Sequence, residues 1–215
     1  MGGFFLDVIK DRLYTTQADS RARRSAQTAM YYIAEAMVRW LAPILSFTAE
    51  EIWADLPGER AESVLLDAWY AIPGGARPAE AIDWPLLLKV REAVTKELER
   101  LRNEDKIGSG LAAEVALYTE PAVLERLNVL GDELRFVFIT SEATTHCLDE
   151  RPADAVEIDG FAAGRLFVEV RPSSNAKCVR CWHQRPDVGA DAEHPEICGR
   201  CVGNVTGAGE QRRFA

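Results

Sequence analysis

A mainly α-helical protein ending in a small cysteine-rich knuckle is what this sequence predicts, and three observations predict it. Apolar residues recur every three or four positions across two long stretches, 21–41 and 84–101. Between residues 114 and 170, short runs of strand character interrupt that pattern. Near the end, four cysteines stand as two C-x2-C pairs, Cys178/Cys181 and Cys198/Cys201, with sixteen residues between the pairs.

In the first stretch Ala26, Met30, Ile33, Met37, Trp40 and Leu41 fall on one helical face, and Trp40 reads as core. Asp19 or Ser20 is placed to cap the start, and Pro43 breaks or kinks the helix. Thr48-Ala-Glu-Glu51 has the form of a capping box, with Phe47 and Ile52 in the staple positions. A second helix is therefore expected from Thr48 to about Leu56-Pro57-Gly58. Residues 58–83, rich in Gly, Pro and Ala, read as a connection. Pro85 suits the first turn of a long helix whose Leu87, Val90, Val94, Leu98 and Leu101 form a core-facing stripe. After Lys106-Ile-Gly-Ser-Gly110 the helical period stops. Glu114–Thr119 then reads as a strand, Pro121–Leu130 as a short helix, Leu134–Thr140 as a second strand and Leu166–Val170 as a third. Three units are expected: helices over 1–105, a small α/β unit over 106–172, and the cysteine module over 173–215.

The cysteine spacing carries chemistry. Two thiolates three positions apart on a tight turn grip one tetrahedral cation from the same side, and a second pair closes the shell around Zn²⁺. Four sulfur ligands leave no position open for water or substrate, so one structural zinc is expected. Two disulfides are the competing reading. No secretory signal precedes the pairs and both have metal-type spacing, which favours the metal. Cys147, far from the quartet, reads as a free thiol.

The composition, 47% apolar and 27% charged, is that of an ordinary globular protein. No apolar run nears the roughly 18 residues that span a bilayer. The cytoplasm is the expected compartment, because it keeps thiols reduced for metal, and a monomer is the default. The net charge of −9 excludes a generally basic nucleic-acid coat, but the charge is uneven. Residues 121–160 hold nine acids against three bases, whereas 171–185 hold Arg171, Lys177, Arg180 and Arg185 with no acid. Lys10, Arg12, Arg21, Arg23 and Arg24 face only Asp11 and Asp19. Two basic islands in an acidic chain suit a local polyanion contact, or are simply solvated surface.

Several ordered stretches go further. Lys10-Asp-Arg-Leu-Tyr14, Arg23-Arg-Ser-Ala-Gln-Thr28, Val38-Arg-Trp-Leu-Ala-Pro-Ile-Leu-Ser-Phe-Thr-Ala49, Cys178-Val-Arg-Cys181-Trp-His, Glu196-Ile-Cys198-Gly-Arg-Cys201 and Gly209-Glu-Gln-Arg-Arg-Phe-Ala215 occur in this order. Together they resemble the C-terminal portion of bacterial isoleucyl-tRNA synthetases, from about Phe4 to Ala215. The resemblance implies a helical-bundle anticodon-binding domain, a small junction domain and a zinc-binding tail that contacts the anticodon stem and loop of isoleucine tRNA. The His-Ile-Gly-His and Lys-Met-Ser-Lys-Ser sequences of that family's catalytic module do not occur here; the only histidines are His146, His183 and His194. The editing domain is missing too. The chain by itself is thus expected neither to bind ATP nor to activate isoleucine, tasks of the catalytic domain that would partner it in a full-length enzyme. Met1-Gly2-Gly3 then reads as an artificial or truncated start.

An anticodon loop offers phosphates and splayed bases, so its reader needs cations and planar groups. With that partner implied, Lys177, Arg180, Arg185 and Arg200 near the thiolates are expected at phosphates, and Trp182 on a base or ribose. Trp182 as a lid over the knuckle's core is the competing reading. His183 reads as a surface residue or a supporting neighbour of the ligands, not as a ligand. On the helical part, Arg12, Tyr14, Arg21, Arg23 and Arg24 are the expected tRNA-facing group. Two other classes compete: a zinc ribbon that binds another polypeptide, and the DNA-binding finger of formamidopyrimidine-DNA glycosylases. The latter resemble this chain only over the finger, and their N-terminal proline nucleophile has no counterpart at Gly2.

Overall fold

The computed structural model describes residues 2–74 and 82–214. Among them the chain is mainly α, with a small mixed sheet and a cysteine cluster. A wide helical turn, Gly2–Leu6, leads into α1 (Asp7–Thr15), followed by α2 (Arg21–Leu41) and α3 (Ser46–Asp55). Then come α4 (Trp84–Asn103), β1 (Ala113–Thr119), α5 (Pro121–Asn128), α6 (Leu134–Phe138) and β2 (Glu142–Cys147). The two-residue β3 (Val156–Glu157), β4 (Leu166–Pro172) and α7 (Gly199–Thr206) complete the order.

α2 begins as its sequence dictates. Ser20 Oγ accepts the Arg23 amide at 3.2 Å, satisfying one of the orphan donors of the first turn. The helix stops at Leu41, ahead of Pro43. α3 departs from expectation: it starts at Ser46, with Leu45 at the cap and no side-chain cap bond. The turn through Pro43 stays tight, with the amides of Ile44 and Leu45 both bonded to the Leu41 carbonyl, so helical geometry resumes two residues before Thr48. The capping box is not made, and Phe47, 89% exposed, staples nothing. Trp40 is a second correction. Val38, Ala42, Ala49, Trp53 and Val64 close the small core of this arm, leaving Trp40 on its rim, stacked against Trp69 at 6.3 Å between centroids.

α4 opens with Asp83 Oδ1 accepting the Leu86 amide at 3.0 Å and Pro85 in the first turn. Its stripe is buried, but against the sheet. Leu87, Val90, Val94 and Leu98 share one core with Val115, Leu117, Leu166 and Val168. The boundary expected at 105/106 therefore cuts across a continuous core. The sheet order is β2-β1-β4-β3, with β1/β2 parallel and the other pairs antiparallel.

The expected strand over 134–140 is helix α6 instead. All five of its residues are buried, so its apolar run has neither a helical nor a strand period, and periodicity cannot decide between them. Ile139 ends it in the left-handed region (φ 59°), with the Thr140 amide bonded to the Arg135 carbonyl at 3.0 Å. The missing strand is β2, just beyond. It is a half-buried edge strand of sequence Glu-Ala-Thr-Thr-His-Cys, with no apolar alternation to announce it.

Candidate metal centre and the groove beside it

The cysteine module hangs from the end of β4. There Ser173 Oγ and Asn175 Nδ2 donate to Glu114 at 2.7 and 3.0 Å, fixing where the first knuckle emerges. That knuckle folds back on itself: the Trp182 amide bonds the Cys178 carbonyl, and the Cys178 amide bonds the His183 carbonyl, each at 2.9 Å. Closing so tight a turn puts Trp182 at φ 67°, a conformation bulky side chains avoid. The second pair sits at the start of α7, with Cys198 as its N-cap residue and Cys201 in its first turn. Asp187 accepts the Gly199 amide at 2.9 Å. A Cβ on Gly199 would lie 2.8 Å from that carboxylate oxygen, so a larger residue there would have to push the Asp187 side chain aside.

These turns converge four buried sulfurs, all within 4.8 Å of one another. Cys181 and Cys198 Sγ are 3.7 Å apart. Four sulfurs bonded to one zinc at about 2.3 Å stand about 3.8 Å apart at the corners of a tetrahedron, whereas a disulfide needs about 2.05 Å. The quartet fits a closed, structural zinc. The four thiolates carry more charge than Zn²⁺ cancels, and Arg180 Nη1, 3.8 Å from Cys201 Sγ, helps offset the excess.

The same arginines fasten the module to the front of the chain. Arg180 Nη1 donates to the Thr15 carbonyl at 2.6 Å. Arg200 grips the Asp11 carboxylate through both terminal nitrogens, at 2.7 and 3.0 Å, and reaches Glu210 at 3.2 Å. From the tail, Arg212 pairs with Asp11 as well and with Glu210 at 3.0 Å, lying over the Phe136 ring at 3.7 Å. Burial pushes the Asp11 carboxyl upward, but Arg200 and Arg212 outweigh it and hold Asp11 well below the usual carboxylate range. The tail ends against α6, with the amides of Arg213 and Phe214 donating to the Glu133 carboxylate at 2.6 and 2.7 Å.

Between α1 and the first knuckle lies a groove of about 560 Å³. Phe136 and Ile139 line its floor, Lys10 and Tyr14 one wall, Arg180 and Trp182 the other. Tyr14 is 76% exposed and Trp182 60% exposed, so Trp182 is not the buried lid that was the competing reading. Lys177 Nζ stands 5.5 Å over the Trp182 ring. His183 is the buried one: its ring meets Phe136 edge-on at 5.8 Å.

The structure thus brings together Tyr14, Lys177, Arg180 and Trp182 from the two basic islands. Arg200 and Arg185 are committed to framework bonds, Arg185 to the Ser141 carbonyl at 3.0 Å. Arg12 is half-buried and does not line the groove; burial and then Arg212 lower its pKa. Arg21, Arg23 and Arg24 form the first turns of α2, with no acidic residue in the first turn. Sequence reasoning missed Lys10, Asp11, Glu210 and Phe136 as parts of this assembly. Lys10 and Asp11 belong to the Lys10–Tyr14 stretch and Glu210 to the tail, whereas Phe136 lies in a buried run with no such signal.

Residues 1–117 match the family described as the anticodon-binding domain of tRNA ligase, and residues 176–203 match the zinc finger found in FPG and IleRS. Over 217 residues the chain is 59% identical to the isoleucine–tRNA ligase of Halorhodospira halophila, covering all of this chain and 23% of that protein. It is 59% identical to that of Thioalkalivibrio sulfidiphilus and 57% identical to that of Azotobacter vinelandii, with the same coverage. The chain spans about a quarter of the length of these relatives.

Proposed function

Because the chain belongs to the family of tRNA-ligase anticodon-binding domains, we propose that it is the C-terminal, tRNA-reading portion of an isoleucine–tRNA ligase. Its task is to hold the anticodon stem and loop of isoleucine tRNA. In the complete enzyme, a catalytic domain would use ATP to attach isoleucine to that tRNA.

One observation carries the reading. Two exposed aromatic rings, Tyr14 and Trp182, border one groove although 168 positions separate them, and Trp182 is held there in a strained backbone conformation. A large apolar side chain that is both strained and solvent-facing costs folding energy, and such sites gather where a ligand is bound. Splayed loop bases supply the partner: they stack on aromatic rings at about 1–3 kcal/mol each. Lys10 and Lys177 stand beside the rings to meet the phosphates, while Arg180 holds the knuckle to Thr15. The resident zinc supplies a rigid frame and no chemistry; Arg200 transmits that rigidity to α1 through Asp11. Arg185 ties the first knuckle to the Ser141 carbonyl, and Arg12, within reach of the charge of Arg212, completes the basic set.

Arg21, Arg23 and Arg24 extend the contact toward the stem. Cations at a helix N-terminus oppose its dipole, so this turn of α2 is better matched when an anion lies against it. We assign residues 1–105 to the anticodon-binding domain, 106–172 to the junction and 173–215 to the tRNA-contacting zinc tail, with α4 structurally part of the junction core. The working state is a monomeric unit of a cytoplasmic enzyme. No helix among the described residues is long and apolar enough to cross a membrane.

The test is binding of the zinc-loaded protein to isoleucine tRNA and to a non-cognate tRNA at two salt concentrations. Cognate preference, with affinity falling steeply as salt rises, supports the assignment. No binding at low salt sinks it.

A further inference from the structure

We infer that the buried charge quartet Asp11, Glu210, Arg200 and Arg212 positions the RNA-reading groove: it fixes how far apart Tyr14 and Trp182 stand, and it does so without touching RNA. The inference rests on the functional reading above. Arg200 pairs with Asp11 at 2.7 Å and with Glu210 at 3.2 Å, and Arg212 pairs with the same two carboxylates. Two acids meet two bases, so the quartet is charge-balanced. None of the four side chains is more than 15% exposed, and Arg212 is only 1% exposed. They come from three separate segments: α1, the first turn of α7 and the tail. Glu210 is in turn fixed to α7, its amide donating to Asn204 Oδ1 at 2.9 Å and its carboxylate accepting from Asn204 Nδ2 at 2.8 Å.

The quartet reaches both walls and the floor of the groove. Asp11 lies three residues before Tyr14 on α1, so the two share a helix face, and both line the groove. Arg200 stands between Cys198 and Cys201, so it ties the position of the metal centre to α1. Arg212 and Arg200 lie over the Phe136 ring, at 3.7 and 5.2 Å. His183, next to Trp182, meets that same ring edge-on at 5.8 Å. Phe136 therefore links the quartet to the knuckle that presents Trp182. Arg200, Glu210 and Arg212 are not among the residues that line the groove. Burying ion pairs adds little net stability, because desolvation offsets the attraction, and apolar side chains of similar volume often serve as well. What apolar substitutes lack is direction: a bidentate arginine–carboxylate contact fixes both distance and angle. A binding site whose rings must be held within about 0.5 Å needs such supports.

The test replaces charge by bulk. Arg212→Met, which leaves Asp11 paired with Arg200, is compared with a fourfold variant, Asp11→Leu/Arg200→Met/Glu210→Leu/Arg212→Met, whose net charge is that of the original. Zinc content, thermal stability and affinity for isoleucine tRNA at two salt concentrations are measured for each. Arg212→Met should lose stability, and the fourfold variant should recover it and keep its zinc. The fourfold variant should nevertheless bind tRNA at least about tenfold more weakly than the original, within the stacking contribution at stake. The salt dependence of binding should stay as it was, since no phosphate contact has been removed. Affinity that returns with stability in the fourfold variant overturns the inference, and so does a flatter salt dependence. If the fourfold variant does not fold, Arg212→Met decides through Trp182. Its loss of affinity should vanish in a Trp182→Gly background, because the same stacking cannot be lost twice; additive losses overturn the inference. Trp182→Gly alone tests the functional reading. Unchanged affinity there sinks that reading, whereas a loss there with none in Arg212→Met sinks only the positioning role.

Discussion

Arg200 and Asp11 join the two ends of the chain, the guanidinium meeting the carboxylate at 2.7 and 3.0 Å across 189 positions of sequence. Neither side chain is more than 15% exposed, and Arg212 shares the same carboxylate. Removing one partner of a buried pair leaves the other charge uncompensated, which costs about 3–5 kcal/mol. Asp11→Ala is therefore expected to destabilise the protein by that order, as read by urea denaturation, while zinc content stays at one per chain.

The same pair predicts a pH dependence. Asp11 is held below its ordinary value of 3.8 by Arg200 and Arg212 against the pull of burial. A carboxyl depressed in the folded state contributes stability that is present above the unfolded pKa and lost as the pH falls toward the folded one. Stability from this pair should be constant above about pH 4 and decline below it. Acid also releases zinc from thiolates, so the informative measurement is the difference between the protein and Asp11→Asn. That difference should shrink below pH 4 and be flat above it; a difference that grows in acid would contradict the pairing.

Zinc removal should act locally. The quartet lies in its own small cluster, with Val188 and Ile197 packed against it, whereas the α4–sheet core is separate. Chelation, or Cys198→Ser, is expected to speed amide exchange across 176–207 and in α1, which Arg180 and Arg200 hold. Exchange in Val90, Val94 and Leu117 should change little. Uniform collapse of protection would show that the metal stabilises the whole chain.

How much of this was legible beforehand depends on the range of the interaction. The quartet, the Ser20 cap and the α4 stripe were readable because spacing alone determines them. α6 and β2 were exchanged for a physical reason: a fully buried run has no polar side to set its period, and a half-buried polar strand has no apolar side. The Thr48 box failed because the Pro43 turn, not the cap, fixed where α3 starts. Arg200 carried the right charge, but its partner lies at the other end of the chain, and no local pattern tells a clamp from a ligand contact. Asp11 and Phe136 were invisible as site residues for the same reason.

Trp182 separates stability from function. At φ 67° a non-glycine residue is strained by roughly 1 kcal/mol relative to glycine. Its ring is 60% exposed and forfeits little packing when removed. Trp182→Gly should leave thermal stability unchanged or raised, while tRNA affinity falls by the stacking contribution of about 1–3 kcal/mol. Calorimetry and binding titration on one preparation check both. Loss of stability together with affinity would return Trp182 to a structural role.

The first turns of α2 offer the opposite sign in one experiment. Arg21 and Arg24 are exposed, share a helix face and stand at the positive end of a 21-residue helix. Replacing both with Glu turns two unfavourable dipole interactions into favourable ones, each worth about 0.3–1 kcal/mol at low ionic strength. The doubly substituted protein should be more stable than the original. It should also bind cognate and non-cognate tRNA more weakly by the same factor, because phosphate contacts carry no sequence information, and the salt dependence of binding should flatten as charge contacts are lost. A variant that gained stability and kept its affinity and its salt slope would remove the stem contact from α2 and leave the groove between Tyr14 and Trp182 as the whole of the interface.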